Sequence, residues 1–330
     1  MKTPGWWGRD GGAMAVLFGP VAALYRGLGR FRAVGVRPVK VGVPVICVGN
    51  LTAGGAGKTP TALALAALLD RADLRFLTRG YGGRLKGPLR VDPAIHTAAD
   101  VGDEALLLAR AAPTWLARDR VRGARAAVAD GAGLIVMDDG FQNPALHKDL
   151  SIVVVDAGFG FGNGRLMPAG PLREPVAAGL ARADILLLIE DGGEAADNGL
   201  PRALPPGLPF FRACFRPATD PAAFDGQPLF AFAGIGRPEK FFLSLQQAGH
   251  RLAGTRGFAD HHRYRAEELM EIVEISVALG AQPVTTAKDA VRLGPTEREM
   301  VRIFEVSLEF ADPEDLRRLI ETALAAGKRA

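Results

Sequence analysis

The sequence predicts an α/β fold in which a parallel sheet is layered with helices, together with a second, smaller α/β domain and an N-terminal amphipathic helix. Short apolar runs of strand length alternate with helical stretches along most of the chain, as in layered α/β domains. The chain has 330 residues, more than one typical domain contains. An apolar run at residues 43–48, a glycine-rich turn and an alanine- and leucine-rich stretch at 61–69 give strand, loop and helix in that order.

Residues 1–32 form the expected N-terminal segment. Its apolar stretch between residues 13 and 25 is interrupted by Gly19 and Pro20, and it is shorter than the roughly 20 residues that a membrane-spanning helix needs. Apolar side chains recur at helical spacing and basic residues follow, a pattern typical of a helix lying on an anionic membrane surface. The alternative is a helix packed against the protein's own core.

The glycine-rich turn has the composition of a phosphate-binding loop. In such a loop, backbone N–H groups and a helix start surround phosphate oxygens, Lys58 contacts the β- and γ-phosphates as a catalytic charge, and Thr59 binds Mg²⁺. The strict motif has glycine where this chain has Thr52, whose small hydroxyl can still bond a phosphate. We therefore predict a P-loop NTPase-like domain; the alternative is a turn with an incidental Lys-Thr pair. The loop consists of Thr52, Ala53, Gly54, Gly55, Ala56, Gly57, Lys58 and Thr59.

A second apolar run, at residues 134–137, leads directly into Asp138 and Asp139. Downstream of a phosphate-binding loop, such a pair supplies one carboxylate that holds Mg²⁺ or its water and a neighbour for other work. We therefore predict that Asp138 binds the metal and that Asp139 takes part in catalysis.

Asp103 and Glu104 precede the helical run at residues 105–112. We predict Glu104 as an outer partner of the metal, together with Asp138 and Thr59. The alternative is that both acidic residues only complement the positive end of the helix dipole.

Two loops carry candidate substrate contacts. Arg79 and Tyr81 lie in a basic, glycine-rich loop at the end of an expected strand, and open α/β sheets bind ligands at that edge. A plain surface turn is the alternative for this loop. Residues 160–175 are too rich in glycine and proline for a core element, and their Asn163 and Arg173 are suited to bind polar groups.

Residues 258–264 bring two of the five histidines, His261 and His262, next to Asp260. A histidine beside an aspartate in a loop is suited to general acid–base work, although most lone histidines are structural. No third ligand at a recognisable spacing indicates zinc. The residues alone leave open which histidine serves.

The remaining pattern divides the chain into domains. Expected strands at 152–155, 185–189, 229–233 and 283–286 alternate with helices such as 239–248 and 266–279, which predicts a second α/β domain. The predicted divisions are the N-terminal segment 1–32, a phosphate-loop domain at 33–148, a second α/β domain that closes a cleft at 149–307, and a C-terminal helix at 308–330.

Composition limits the partners and the compartment. The formal net charge of +4 is small, and no run of five or more basic residues indicates a nucleic-acid-binding arm. The two cysteines, Cys47 and Cys214, are far apart and form neither a C-x-x-C motif nor a disulfide framework. We therefore expect no nucleic-acid partner and a reducing, cytoplasmic compartment.

Taken in order, these motifs resemble the bacterial tetraacyldisaccharide 4'-kinase family. The resemblance implies an ATP- and Mg²⁺-dependent kinase of lipid A biosynthesis, peripheral on the cytoplasmic face of the inner membrane. Its substrate would be a tetraacylated glucosamine disaccharide 1-phosphate, phosphorylated on the 4'-hydroxyl to give lipid IVA. The resemblance extends from residue 6 to about 292 and rests on residues 48–60, 79–82, 102–104, 138–142, 162–175 and 260–261.

The resemblance also implies roles for single residues. In that family the aspartate of the Gly-Asp-Glu motif acts as the base and the histidine after an aspartate supports it, which implies these roles for Asp103 and His261. The Asp-Asp-Gly-Phe-Gln motif makes Gln142 a further candidate substrate contact. Asn143 replaces a histidine that often follows this motif.

A nucleotide switch or a membrane-associated ATPase is the alternative from another class. A guanine-specific switch would carry Asn-Lys-x-Asp, and residues 287–289 lack that spacing. Phosphoryl transfer needs mainly positioning and charge stabilisation, so we expect a cleft between two domains that closes over ATP and an acceptor. Asp103 and His261 lie in different predicted domains and would meet only on closure.

Overall fold

A computed structural model describes residues 4–8, 12–33, 35–190 and 204–327. Of the predicted terminal segments, residues 1–3, 9–11 and 328–330 lie outside the described residues. Within the described part, the strands form a nine-stranded sheet and a four-stranded sheet, called here the large sheet and the small sheet. This α/β architecture confirms the predicted fold class.

The strands pair mainly in parallel. They are β1 (Val45–Gly49), β2 (Leu74–Thr78), β3 (Leu89–Arg90), β4 (Thr114–Leu116), β5 (Leu134–Asp138), β6 (Leu150–Asp156), β7 (Ile185–Glu190), β8 (Phe210–Pro217), β9 (Leu229–Ala233), β10 (Leu252–Gly257), β11 (Gln282–Thr286), β12 (Arg302–Phe304) and β13 (Val306–Phe310). The large sheet has the order β13-β8-β7-β6-β1-β5-β2-β4-β3, and the small sheet has the order β10-β9-β11-β12. Only β3 with β4 and β13 with β8 pair antiparallel among the described strands.

Helices connect and cover the strands. They are α1 (Gly12–Leu17), α2 (Gly19–Ala33), α3 (Lys58–Leu69), α4 (Ala98–Val101), α5 (Asp103–Ala111), α6 (Arg120–Ala129), α7 (Val176–Leu180), α8 (Pro238–Gln247), α9 (Ala266–Ala278), α10 (Ala287–Ala290), α11 (Pro295–Glu299) and α12 (Pro313–Gly327), with 3-10 helices at Gly5–Trp7 and Pro221–Phe224. Among the residues that the structure describes, no helix has the length and apolar character that crossing a bilayer requires.

β1 lies between β6 and β5 near the middle of the large sheet, and all five of its residues are buried. Ile46 and Val48 belong to the apolar cluster on one face, which includes Leu65 of α3. Cys47 belongs to the cluster on the opposite face, with Ala124 of α6. Because helices cover both faces, β1 and the loop that follows it have a rigid support.

The sheets do not divide at the predicted boundary, residue 149. β6, β7 and β8 extend the large sheet, and Ile46 of β1 pairs in parallel with Leu150 of β6. The predicted C-terminal helix begins only at Pro313, because residues 306–310 form β13 and pair with β8. An apolar run indicates a strand but not the strand it pairs with. The sequence pattern therefore does not predict which strands join the large sheet.

The molecule has two parts, called here the small unit and the large unit. The small unit is residues 229–304, which contain the small sheet and α8 to α11. The large unit is the large sheet with the helices that pack on it.

The carboxyl ends of β1, β5 and β2 meet at one edge of the large sheet, because these neighbouring strands are parallel. The loop at residues 50–57 and the acidic pair at the end of β5 therefore lie side by side. β6 ends at the same edge, where Asp156 accepts hydrogen bonds from Arg237 at 2.6 Å and Lys240 at 2.8 Å. The small unit thus contacts the edge that carries the predicted phosphate-binding loop.

The N-terminal segment is fastened to a loop of the large unit. Trp6 and Trp7 donate from Nε1 to the carbonyl oxygen of Pro168 at 3.3 and 3.0 Å. In α1 and α2, large apolar side chains face outward; Leu17 is 68% and Leu24 65% exposed. These side chains do not fit the alternative of a helix packed against the core.

Candidate active site

The turn between β1 and α3 is the predicted phosphate-binding loop. Gly54 and Gly57 adopt φ values of 118° and 84°, a region that favours glycine. A Cβ at Gly57 would also lie 2.4 Å from Cδ1 of Ile189. The backbone N–H of Ala53 donates to the carbonyl oxygen of Pro171 at 2.7 Å, which holds the loop from outside. α3 begins directly after the loop, so its N-terminus can contribute to phosphate binding.

Asp138 is the last residue of β5 and is 1% exposed. Its Oδ2 accepts a hydrogen bond from Oγ1 of Thr59 at 2.8 Å, and its Oδ1 has no hydrogen-bond partner among the described residues. Burial, together with the negative charges of Glu104 and Asp139, raises the pKa of Asp138 to about 7. The charge of Lys58 and the hydrogen bond from Thr59 lower this pKa but do not offset the effect of burial.

Asp139 follows directly but has the opposite environment. Its Oδ1 accepts a hydrogen bond from Nη1 of Arg173 at 2.8 Å and lies 3.7 Å from Nζ of Lys58. Burial alone would raise the pKa of Asp139, but the charges of Lys58 and Arg173 outweigh it and lower the pKa. Two adjacent carboxylates with pKa values pushed apart are typical of sites that assign them different tasks.

Hydrogen bonds join the loop after Asp139 to the phosphate-binding loop. Nε2 of Gln142 donates to the carbonyl oxygen of Asn50 at 2.9 Å, and Oε1 of Gln142 lies 3.3 Å from Nη1 of Arg173. Nδ2 of Asn50 in turn donates to Oγ1 of Thr52 at 3.3 Å. The hydroxyl that replaces the usual glycine of the motif therefore braces the loop from within.

Asp103 and His261 come from different units and lie in contact. Asp103 is the first residue of α5 and is 4% exposed, and its Oδ2 lies 3.1 Å from Nδ1 of His261. The same oxygen accepts hydrogen bonds from Arg292 and lies 3.8 Å from Nζ of Lys288. Burial alone would raise the pKa of Asp103, but the bond to His261 and the charges of Lys288 and Arg292 hold it below its usual range.

His262 has a different partner. Its Nε2 lies 3.1 Å from Oε2 of Glu268, and its ring stacks on Phe258 with 4.6 Å between the centroids. Of the two neighbouring histidines, His261 is therefore the one that contacts Asp103.

The chain matches known proteins over nearly its whole length. The model of the family described as LpxK, tetraacyldisaccharide-1-P 4'-kinase, matches residues 14–325. The tetraacyldisaccharide 4'-kinase of Rhodospirillum rubrum is 49% identical over 323 residues, 97% of each chain. That of Gluconacetobacter diazotrophicus is 52% identical over 326 residues, 97% of this chain and 98% of the relative. The chain belongs to the tetraacyldisaccharide 4'-kinase family.

A solved structure supports the same assignment. The crystal structure of LpxK from Aquifex aeolicus in complex with ATP has a TM-score of 0.76 and 27% sequence identity to this chain. The match covers 94% of this chain and 99% of the other. Membership in the 4'-kinase family makes the chain a kinase.

The other predicted substrate contacts of this kinase lie in different surroundings. Arg79 is exposed at the end of β2, and Tyr81 is 65% exposed with its ring centroid 5.7 Å from that of His261. Asn163 instead bonds to backbone: its Nδ2 donates to the carbonyl oxygens of Trp6 at 2.8 Å and Ala169 at 2.9 Å. That Asn163 contacts substrate stays a prediction.

Two arginines at the site were not predicted from the sequence. Arg120 is 3% exposed beside the acidic pair, its Nη2 lies 3.4 Å from the carbonyl oxygen of Asp139, and burial lowers its pKa to about 10. Arg292 contacts Asp103. Both lie in or next to helices, where an arginine is ordinary, so no local signal separates them from surface residues.

Proposed function

We propose that this family member transfers the γ-phosphate of ATP to the 4'-hydroxyl of a tetraacylated glucosamine disaccharide 1-phosphate and so forms lipid IVA. The observation that carries the proposal is the contact of Asp103 with His261, 3.1 Å apart, next to the phosphate-loop edge. Glu104, the neighbour of Asp103, is close enough to Asp138 for its charge to act on that carboxylate. An acid–base pair beside a phosphate-binding loop suits transfer to a hydroxyl better than simple nucleotide binding.

The loop at residues 52–59, together with the cations Lys58 and Arg173, would hold the phosphates of ATP. Backbone N–H groups and the start of α3 offer donors, and Lys58 supplies charge. Asp139 binds both Lys58 and Arg173, so it keeps these cations beside the loop without ATP. In this proposal the role of Asp139 in catalysis is to orient them.

The residues at Asp138 fit a Mg²⁺ ion. Oδ1 of Asp138 is buried without a hydrogen-bond partner among the described residues, the pKa of Asp138 is raised, and the Thr59 hydroxyl is adjacent; these features support binding of a cation at this carboxylate. Among the described residues, no group of three His, Cys, Asp or Glu side chains is arranged to hold a metal, so phosphates and water would complete the coordination. We assign Asp138 and Thr59 as ligands, with Glu104 as an outer partner. The ion would neutralise charge on the phosphates.

Asp103 would take the proton of the acceptor hydroxyl, with His261 holding its carboxylate in place. Its lowered pKa keeps the carboxylate ionised at neutral pH. A weak base is sufficient, because phosphoryl transfer has a loose transition state in which little bonding to the nucleophile has developed. Arg79, Tyr81, Gln142, Asn163 and Arg173 are proposed to contact the acceptor or its phosphate.

We further propose that the N-terminal segment binds the anionic surface of the inner membrane, on its cytoplasmic face, as a peripheral contact. Leu17 and Leu24 are exposed apolar side chains, and Arg26 and Arg37 are exposed basic ones. Together they match an interfacial segment. An acylated disaccharide is held in such a surface by its chains.

A transfer assay tests the kinase proposal. Purified protein receives ATP labelled on the γ-phosphate, Mg²⁺ and the detergent-dispersed tetraacyl disaccharide 1-phosphate, and we expect label at the 4' position of the lipid. ATP consumption that is equally fast without acceptor, with no labelled lipid, would instead support the ATPase alternative.

Vesicle binding tests the membrane proposal separately. The double variant Leu17→Asp/Leu24→Asp should bind anionic phospholipid vesicles less than the unchanged protein does. Val277→Asp is the matched control, because Val277 is 72% exposed on α9 of the small unit and should leave binding unchanged. Equal loss in both variants would contradict a specific role of the N-terminal segment.

A further inference from the structure

Arg292 links the two units through one buried guanidinium. It follows α10 in the small unit, and its side chain is 4% exposed. Its Nε donates to Oδ2 of Asp103 at 3.1 Å, and its Nη2 donates to the same oxygen. Its Nη1 lies 2.8 Å from both Oδ1 of Asp289 and the carbonyl oxygen of Gly234. One planar group therefore binds the carboxylate of α5 and two groups of the small unit.

The small unit holds this guanidinium rigidly. Asp289 is 0% exposed, and its Oδ1 also accepts hydrogen bonds from the backbone N–H of Gly234 at 3.0 Å and from the hydroxyl of Tyr264 at 2.9 Å. Its Oδ2 accepts a hydrogen bond from Oγ1 of Thr286 at 2.7 Å. A carboxylate with this many partners has one orientation, so Arg292 has one as well.

His261 shares an anchor with Arg292. The backbone N–H of His261 donates to the carbonyl oxygen of Gly234 at 3.0 Å, the same oxygen that accepts from Nη1 of Arg292. Both side chains then reach Oδ2 of Asp103. One carbonyl oxygen directly after β9 therefore anchors both the backbone of His261 and the guanidinium of Arg292.

Arg292 also balances the charges of two buried carboxylates. Asp103 and Asp289 are both buried, and Arg292 contacts both, whereas Lys288 lies 3.8 Å from Asp103. A buried carboxylate that loses its cation is costly. Lysine would keep the charge at this position, but as a point charge on a flexible stem it cannot reproduce the fork that binds both carboxylates and a carbonyl.

We propose that Arg292 is a positioning residue for phosphoryl transfer, which holds Asp103 and His261 in the mutual orientation that removal of the hydroxyl proton requires. It acts through Asp103 and not on ATP. This inference rests on the proposed role of Asp103 as the base.

A second ion pair between the units provides the control. Arg237 at the start of α8 donates to Asp156 of the large unit at 2.6 Å, and Asp156 is 8% exposed. This pair also joins the units, but it includes none of the acid–base residues. Arg237→Lys therefore makes the same substitution in an ion pair between the units that contains neither Asp103 nor His261.

The test compares Arg292→Lys, Arg237→Lys, Asp103→Asn and the double variant Arg292→Lys/Asp103→Asn in the lipid transfer assay. We expect Arg292→Lys to lower kcat by about 10- to 100-fold with little change in KM for ATP, because misplacement of a catalytic group by about 1 Å costs that order. Arg237→Lys should stay close to the unchanged enzyme. In the Asp103→Asn background, Arg292→Lys should cause almost no further loss.

The outcomes separate this inference from the proposed function. Normal kcat in Arg292→Lys, a full further loss in the Asp103→Asn background, or an equal loss in Arg237→Lys would each overturn the positioning role while the kinase proposal stands. Absence of lipid phosphorylation by the unchanged enzyme would overturn the proposed function itself. If thermal unfolding shows that Arg292→Lys does not fold, Asp289→Asn replaces it, since it loosens the hold on Arg292 and should lower kcat in the same way.

Discussion

Two regions differ in how their buried carboxylates are paired. The phosphate-loop edge is the edge of the large sheet that carries residues 50–59 and Asp138, and the acid–base centre is Asp103 with His261, Lys288 and Arg292. At the edge, Asp138 is buried with one oxygen unpaired among the described residues, and its pKa is raised to about 7. At the centre, Asp103 is almost as buried but contacts His261, Lys288 and Arg292, and its pKa is lowered. At the edge, Oδ1 of Asp138 therefore has no donor among the described residues, whereas at the centre one oxygen of Asp103 lies near three basic side chains.

The difference reflects the origin of the partners. Thr59 and Asp138 both belong to the large unit, as do Lys58, Glu104 and Asp139, whose charges act on Asp138. The partners of Asp103 lie between residues 261 and 292 of the small unit, so contact of the units completes the centre. In the proposed function, a bound metal ion would complete the surroundings of Asp138, whereas contact of the units completes those of Asp103.

Removal of the carboxylate at the centre should have the largest effect. Asp103→Asn is expected to lower kcat by about 10²–10⁴-fold, the usual contribution of a general base, and to leave KM for ATP nearly unchanged because the edge is intact. Steady-state kinetics with the lipid acceptor measure both constants. If Asp103 and His261 act as a unit, the double variant Asp103→Asn/His261→Ala should be little worse than Asp103→Asn. A KM for ATP that rises as much as kcat falls would show that the two regions are not separable.

Lys58→Ala tests the edge. Loss of a preorganised charge contact costs about 2.7–4 kcal/mol in the transition state, so we expect transfer to fall by about 10²–10³-fold. The fold should be retained, because Lys58 lies at a helix start and not in the core. The transfer rate and the thermal unfolding midpoint are measured together. Near-normal transfer would remove this loop from the phosphate site.

Asp138→Asn tests whether the edge depends on a metal. The variant keeps the size of the side chain but removes the buried charge, so the Mg²⁺ concentration that gives half-maximal transfer should rise by about tenfold or more. Affinity for ATP without metal should change little, or increase, because one negative charge is removed. A Mg²⁺ titration with an unchanged midpoint and plateau would exclude Asp138 as a ligand.

Asp156→Asn is expected to have the smallest effect on transfer and a clear effect on stability. Burial alone would raise the pKa of Asp156, but Arg237 and Lys240 outweigh it and lower the pKa. A group whose pKa is lowered by folding stabilises the protein above its unfolded pKa of about 3.9 and loses that contribution as the pH falls further. The variant should therefore be less stable by roughly 1–3 kcal/mol between pH 8 and 5, and the difference should shrink below about pH 4.

Urea unfolding at several pH values measures this difference. A penalty that disappears already between pH 8 and 6 would point to another titrating group. A loss of transfer as large as that of Asp103→Asn would show that docking of the units, and not the acid–base residues, determines the rate.

The edge could be predicted from the sequence because its parts are local. Strand, glycine-rich turn and helix are contiguous, and Asp138 directly follows an apolar run. Parallel pairing of β1 with β5 then brings the two segments together, with Val48 opposite Asp138. The raised pKa could not be predicted, because it depends on burial and on Glu104 of a third segment.

The acid–base centre is harder to predict from the sequence. From spacing alone, Asp103 is better explained as a helix-start residue, and its pairing with His261 is implied only by the resemblance in motif order. Arg292 reaches Asp103 across 189 positions of sequence, and no periodicity records such a contact. The same limit explains the misplaced boundary at residue 149, because strand signals do not specify which sheet a strand joins.

The two tryptophans near the N-terminus have a geometric consequence. Trp6 and Trp7 donate hydrogen bonds to Pro168, and a few residues later Pro171 accepts a hydrogen bond from Ala53 in the phosphate-binding loop. A membrane surface that binds α1, as proposed above, would therefore lie close to the phosphate-binding loop. In that proposal, an acceptor confined to the membrane surface would reach the nucleotide by diffusion in two dimensions, so its encounter rate would follow its density in the surface and not its concentration in water.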